Sequence, residues 1–159
     1  SGGRGRGWTT AVNGLAIAFR AAGLPVVHLS PHAGLPSVDD YGILRLGHEQ
    51  AWLIDHLMRV CASERSPVVW AIDDWDEFVD AQQQSPRVDR LERLLTGSAG
   101  MRFVVSGHRR QLAQRLSQAA ATRIVFPPAA EADAVFFGLQ ATRFAGEWPP
   151  GRAVLLGGL

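Results

Sequence analysis

A three-layer α/β domain with a mainly parallel sheet is what this sequence predicts, and three observations carry the prediction. Val68 to Ile72 is an unbroken apolar run, rich in β-branched and aromatic residues and started by Pro67, which suits a short strand buried on both faces. Similar runs at Val26 to Leu29 and Met101 to Val105 are separated by stretches of helical period such as His48 to Ala62. That is the order expected when helices cross between parallel strands. The third observation is the glycine-rich opening, Gly2 to Gly7, which leads straight into a helical stretch.

Composition sets the limits. With 159 residues and 47% apolar content, residues 1–159 suit one globular domain with a real core, and no apolar run approaches transmembrane length. The formal net charge of +1 gives no support to a broad nucleic-acid surface, although Arg4, Arg6, Arg109 and Arg110 can form a local cluster. A lone cysteine, Cys61, excludes an internal disulfide and fits a reducing compartment. The first residues are glycine and arginine with no apolar segment, so no signal peptide is visible. Every basic residue is arginine, which fits a biased genome and means that no lysine of this chain can reach a bound phosphate.

In chain order, Thr9 to Ala22 reads as a helix apolar on most sides through Val12, Leu15, Ala16, Ile17 and Phe19, ended by Gly23 and Pro25. Val26 to Leu29 is a strand, Ser30 to Asp40 a loop, and Tyr41 to Leu46 another short strand. His48 to Ala62 puts Leu53, Ile54, Leu57, Met58 and Cys61 on one face and returns the chain to the strand Val68 to Ile72. Val79 to Ser85, with Gln82, Gln83 and Gln84, reads as a polar turn, and Val88 to Leu95 as a short helix stopped by Gly97. Met101 to Val105 is the next strand, and a helix from Arg109 to about Ala120 comes after it. Arg123 to Phe126 is a strand, Glu131 to Phe137 a short helix, and Ala153 to Leu156 a last strand.

Chemistry concentrates at two places. The run ending in Asp73 and Asp74 has the Walker B pattern, in which the first acid holds Mg²⁺ and the second orients the attacking water; acids after a strand equally serve as helix N-caps. In open α/β sheets ligands sit beyond the carboxyl ends of strands, where Asp73, Asp74 and Asp76 fall. The stretch Gly2-Gly3-Arg4-Gly5-Arg6-Gly7-Trp8-Thr9 fits the phosphate-binding spacing G-x-x-x-x-G-K-[ST] at every fixed position except the lysine, which is Trp8. A flexible Gly/Arg-rich end is the alternative. Arg109 and Arg110 at a helix start oppose the helix dipole and hint at an anionic partner. His28 and His32 are separated by a Ser-Pro break, so no zinc site is expected, and Ser106 near His108 lacks the Gly-x-Ser-x-Gly elbow of a hydrolase.

Taken together, the glycine loop Gly2 to Thr10, the Val-Val-Trp-Ala-Ile-Asp-Asp-Trp-Asp block, the Phe-Val-Val-Ser-Gly-His-Arg-Arg strand and turn, and the tail Phe137-Gly138-Leu139 with Trp148-Pro149-Pro150-Gly151-Arg152-Ala153-Val154-Leu155 give the chain a family likeness. It resembles the P-loop (RecA-like) ATPase domains of the FtsK/SpoIIIE family, above all the degenerate ATPase domains of EccC proteins of type VII secretion. The resemblance implies ATP and Mg²⁺ as ligands, held weakly or not at all. Gly2, Gly5, Arg6, Gly7, Trp8, Thr9 and Thr10 would line the nucleotide, Thr9 and Asp73 would hold the metal, and Asp73 and Asp74 would be vestigial catalytic acids. It also implies partners: neighbouring ATPase domains of the same motor, a hexamer, and the signal segment of an exported protein.

The chain departs from the family in two respects. Trp8 replaces the lysine, which puts hydrolysis in doubt. The family's loop comes after a central strand, and nothing precedes Ser1 to supply it, so the expectation is a piece of a longer, membrane-anchored chain whose domains lie on the cytoplasmic side. The leading expectation is a regulatory or substrate-recognising pseudo-ATPase domain. An active hydrolase with Arg4 or Arg6 supplying the charge, and a DNA-translocating domain, are the alternatives.

Overall fold

The computed structural model describes residues 7–64, 67–81, 101–107, 122–125 and 153–157, together with 89, 92, 93 and 96. Helix α1 (Trp8–Ala21) starts at Gly7, whose φ of 89° is left-handed and suits glycine, and it carries no side-chain cap. It ends in a Schellman arrangement: Leu24 N–H donates to Phe19 O at 3.1 Å and Gly23 N–H to Arg20 O at 3.0 Å, with Gly23 at φ 84°. Strand β1 (Val26–Leu29) is buried along its whole length.

The segment expected to be a loop contains a two-residue strand, β2 (Ser37–Val38), antiparallel to β3 (Leu44–Leu46). The strand expected from Tyr41 is shortened by a turn, in which Asp39 Oδ1 accepts the N–H groups of Tyr41 and Ile43 at 3.0 Å each and Gly42 takes φ 74°. Between β3 and the next helix, His48–Gln50 forms one 3-10 turn whose Gln50 Oε1 accepts Gly47 N–H at 2.7 Å. Helix α2 (Ala51–Glu64) then leads to β4 (Val69–Ile72).

Of the polar turn expected over Val79 to Ser85, Val79 to Ala81 are helical instead, and 82–85 lie outside the described residues. Helix α3 (Trp75–Ala81) begins directly after the acids, because Asp74 Oδ1 accepts Glu77 N–H at 3.2 Å and the apolar set Trp75, Phe78 and Val79 has helical spacing onto the core. Of the helix expected over Val88 to Leu95, the described residues Asp89, Glu92 and Arg93 are helical, and so is Thr96 beyond it. The helices expected at Arg109 to Ala120 and Glu131 to Phe137 lie outside the described residues.

The sheet has the order β2-β3-β1-β4-β5, with β5 spanning Arg102–Val105. Apart from β2 its pairings are parallel, and β4 is an inner strand between β1 and β5. The fold-class expectation therefore holds. A separate antiparallel pair joins β6 (Thr122–Val125) to β7 (Val154–Gly157). Alternate strand residues feed two cores. Val27, Leu29, Trp70 and Ile72 pack with Ile54 and Met58 of α2 and with Trp75 and Phe78 of α3, while Val26, Val69 and Ala71 pack with Val12 and Ala16 of α1. Helices thus cover both faces, giving three layers.

Candidate functional site

The period of two that builds these layers also aims the acids. Asp73 continues the face of Val69 and Ala71, so its carboxylate emerges from the carboxyl end of β4 on the α1 side. There it is 5% exposed, and its Oδ1 accepts Ser106 Oγ–H at 3.0 Å and Thr9 Oγ1–H at 3.3 Å. Thr9 stands in the first turn of α1 and Ser106 directly after β5, so three elements converge on one carboxylate oxygen. Asp73 N–H is itself held by Leu29 O of β1 at 2.8 Å.

Asp74 does a different job. Its φ of 51° is left-handed, and that backbone is held by Ser106, whose Oγ accepts Asp74 N–H at 2.9 Å and whose carbonyl accepts Trp75 N–H at 2.8 Å. The carboxylate meanwhile caps α3, which is the alternative reading of acids after a strand. Asp76, 1% exposed, lies against Gly107: a Cβ there would come within 2.9 Å of Asp76 Oδ2. Ser106, found in the sequence only as a poor hydrolase nucleophile, thus knits the ends of β4 and β5 together.

Of the predicted loop residues, Gly7, Trp8, Thr9 and Thr10 are described and open α1, with Trp8 half-buried and Thr10 exposed. Gly2, Gly5 and Arg6, like Arg4, His108, Arg109 and Arg110, lie outside the described residues. The oxygens of Thr9 and Asp73 suit a hard cation, and the first turn of α1 offers backbone N–H groups and a partial positive charge to phosphates. Among the described residues no group of three or more His, Cys, Asp or Glu is placed to hold a metal alone. Mg²⁺ needs less, because it is commonly bound by one or two carboxylates together with substrate phosphates and water. The residues present therefore fit Mg²⁺-nucleotide: Thr9 and Asp73 would hold the metal, which when bound neutralises phosphate charge. Ser106 would fix the carboxylate.

Sequence reasoning missed a polar cluster beside this site. His28 lies opposite Arg45 in the parallel register of β1 and β3. Arg45 donates to Asp39 Oδ2 from Nε at 3.0 Å and from Nη2 at 2.8 Å, and its Nη1 reaches Asn13 Oδ1 at 3.1 Å and His28 Nδ1 at 3.0 Å. The signal available was a histidine within an apolar strand. Burial first, and the Arg45 guanidinium second, pull the His28 pKa below its ordinary 6.5, against weaker opposing pulls from Asp73 and Asp39. For Asp39, burial works toward a higher pKa but is outweighed by the Ile43 N–H, Arg45 and the Tyr41 N–H, which hold the carboxyl below its ordinary range.

These directions set the sign of the pH effect. The unfolded chain takes up a proton at His28 at the ordinary pKa and the folded chain does not, so stability is complete above about pH 6.5 and falls as pH drops from there toward the lowered folded value. The urea midpoint should decline as pH is lowered from about 7 through and below 6.5, and His28→Asn should flatten the decline. An equal decline in the variant would assign it to other groups.

The fold and site together define a class: a three-layer α/β domain with a five-stranded, mostly parallel sheet and a Thr9–Asp73 pair at its carboxyl edge. Comparison with solved structures finds the chain similar to EssC (ATPases 2 and 3) from Geobacillus thermodenitrificans, with TM-score 0.61 and 17% identity over 99% of this chain. The likeness is one of fold, and this chain spans 36% of the length of that one. By sequence, no family model and no curated protein matches. Among the described residues no helix is long and apolar enough to cross a membrane.

Proposed function

We propose that this chain is a degenerate P-loop ATPase domain of a type VII secretion motor, acting in regulation or substrate recognition with little or no ATP hydrolysis. The observation that carries this reading is local. Thr9 and Asp73 meet as a metal-binding pair would, yet the residue before Thr9 is Trp8, where an active loop has lysine. The glycine loop and helix start favour an anion, but tryptophan supplies no charge to the transferring phosphate. Support for the motor comes from the likeness to a protein containing ATPases 2 and 3, together with the EccC resemblance of the tail.

On this reading the partners are neighbouring ATPase domains, in a hexamer, and the signal segment of an exported protein. The domain sits on the cytoplasmic side, reaching the membrane through its parent chain. Steady ATP hydrolysis should not rise above background, and Asp74→Asn should leave that background unchanged, since the Asp74 carboxylate caps α3. A phosphate-release assay checks both. Turnover that Asp74→Asn abolishes would replace this reading with an active hydrolase.

A further inference from the structure

Helix α1 fully buries only two side chains, Val12 and Ala16, and both are small. Ile17 and Phe19 pack against the same core while only partly buried, and apolar contact is non-directional, so it seats the helix on the sheet without closely setting its rotation about the helix axis. Side-chain atoms lie roughly 5 Å from that axis, so a turn of about 20° moves Thr9 Oγ1 by more than about 1 Å. The 3.3 Å contact with Asp73 would not survive it. Hydrogen bonds supply the direction that apolar packing lacks.

We propose that Arg45 is the positioning residue of the candidate site, tying α1 to β1 and to the turn between β2 and β3 so that Thr9 lies against Asp73. Four donor contacts of its guanidinium reach three partners on different elements: two go to Asp39, one to His28 and one to Asn13. Asn13 completes the link, because its Nδ2 donates to Thr9 O at 2.9 Å while its Oδ1 accepts from Arg45. Those two bonds fix which way the amide faces.

His28 fits the same device. A guanidinium only donates, so Nδ1 must accept, and the neutral ring carries its proton on Nε2. The ring is 2% exposed, and it serves as a buried acceptor that holds Arg45 from the β1 side. Asp39 balances the charge of Arg45, whose side chain is part-buried at 29% exposure. Lysine could not replace Arg45, since three donors on one nitrogen cannot span partners arranged for a planar fork.

This proposal rests on reading Thr9 and Asp73 as a Mg²⁺-nucleotide site, and two measurements separate the claims. The first is amide hydrogen exchange of the parent chain and of Arg45→Met, which keeps the stem and loses the donors. Exchange at Ala11 to Leu15 should quicken by at least about tenfold relative to Val69 to Ile72 of β4, since local opening reports local stabilisation. Asn13→Ala cuts only the link to α1, and should give the same local pattern even where Arg45→Met fails to fold. Uniform quickening across α1 and β4, or none in α1, would overturn the proposal. The second is Mg²⁺–ATP affinity in a Trp8→Lys chain, which Asn13→Ala should lower about tenfold, the worth of one hydrogen bond. Full affinity with a loosened α1 would also overturn it, whereas no binding by Trp8→Lys itself would overturn the site reading and leave exchange to decide on Arg45.

Discussion

Replacing Trp8 by lysine is expected to raise the affinity of the chain for Mg²⁺–ATP about ten- to a hundredfold, because a charge-assisted hydrogen bond contributes roughly 1.5–3 kcal/mol and each decade of affinity is about 1.4 kcal/mol. Trp8 is the first residue of α1, set by the left-handed Gly7 directly before Thr9. A lysine there projects from the first helical turn toward the anion that the helix start favours. Trp8 is half-buried, and its indole brings no charge. Calorimetry on parent and variant reads the gain. Equal, weak binding in both would mean that the glycine loop has no phosphate cradle, and that lysine alone cannot restore one.

The second large effect concerns Asp73. In the Trp8→Lys chain, Asp73→Asn should remove most of the Mg²⁺-dependent part of the affinity, a loss of about tenfold or more, while barely changing stability. Asparagine keeps a carbonyl oxygen to accept from Thr9 and Ser106, so the fold retains its hydrogen bonds. What goes is the negative charge. Affinity should then be compared with Mg²⁺ and with EDTA. A variant that keeps the full Mg²⁺ effect would place the metal elsewhere.

Legibility in the sequence depends on the kind of information each feature needs. β4 is a run of apolar residues and β1 is one interrupted only by His28, both buried on both faces, so composition locates them, and the spacing of Gly2, Gly7 and Thr9 anticipates the meeting of Thr9 with Asp73. α3 is hard to read because Asp76, Glu77 and Asp80 interleave with Trp75, Phe78 and Val79, and the polar Gln82 to Gln84 draw the boundary too early. β2 is two residues long, too short to carry any period. Arg45, His28, Asn13 and Asp39 are invisible for a deeper reason: they meet only because β3 lies beside β1 with His28 opposite Arg45, and strand order and register are tertiary facts. Ser106 stands out for the wrong chemistry, since its bonds to Asp73 and Asp74 require β5 to lie beside β4.

On the proposed function, nucleotide binds between the start of α1 and the end of β4. Paramagnetic broadening of amide resonances by Mn²⁺–ATP in the Trp8→Lys chain tests it most directly. Strong, local loss of signal is expected at Gly7 to Ala11, Asp73, Asp74 and Ser106, with the outer face of α2 around Trp52 and Val60 unaffected. Broadening centred on α2 or on the turn at Asp39 to Gly42, with the amides of Thr9 and Asp73 left sharp, would contradict it.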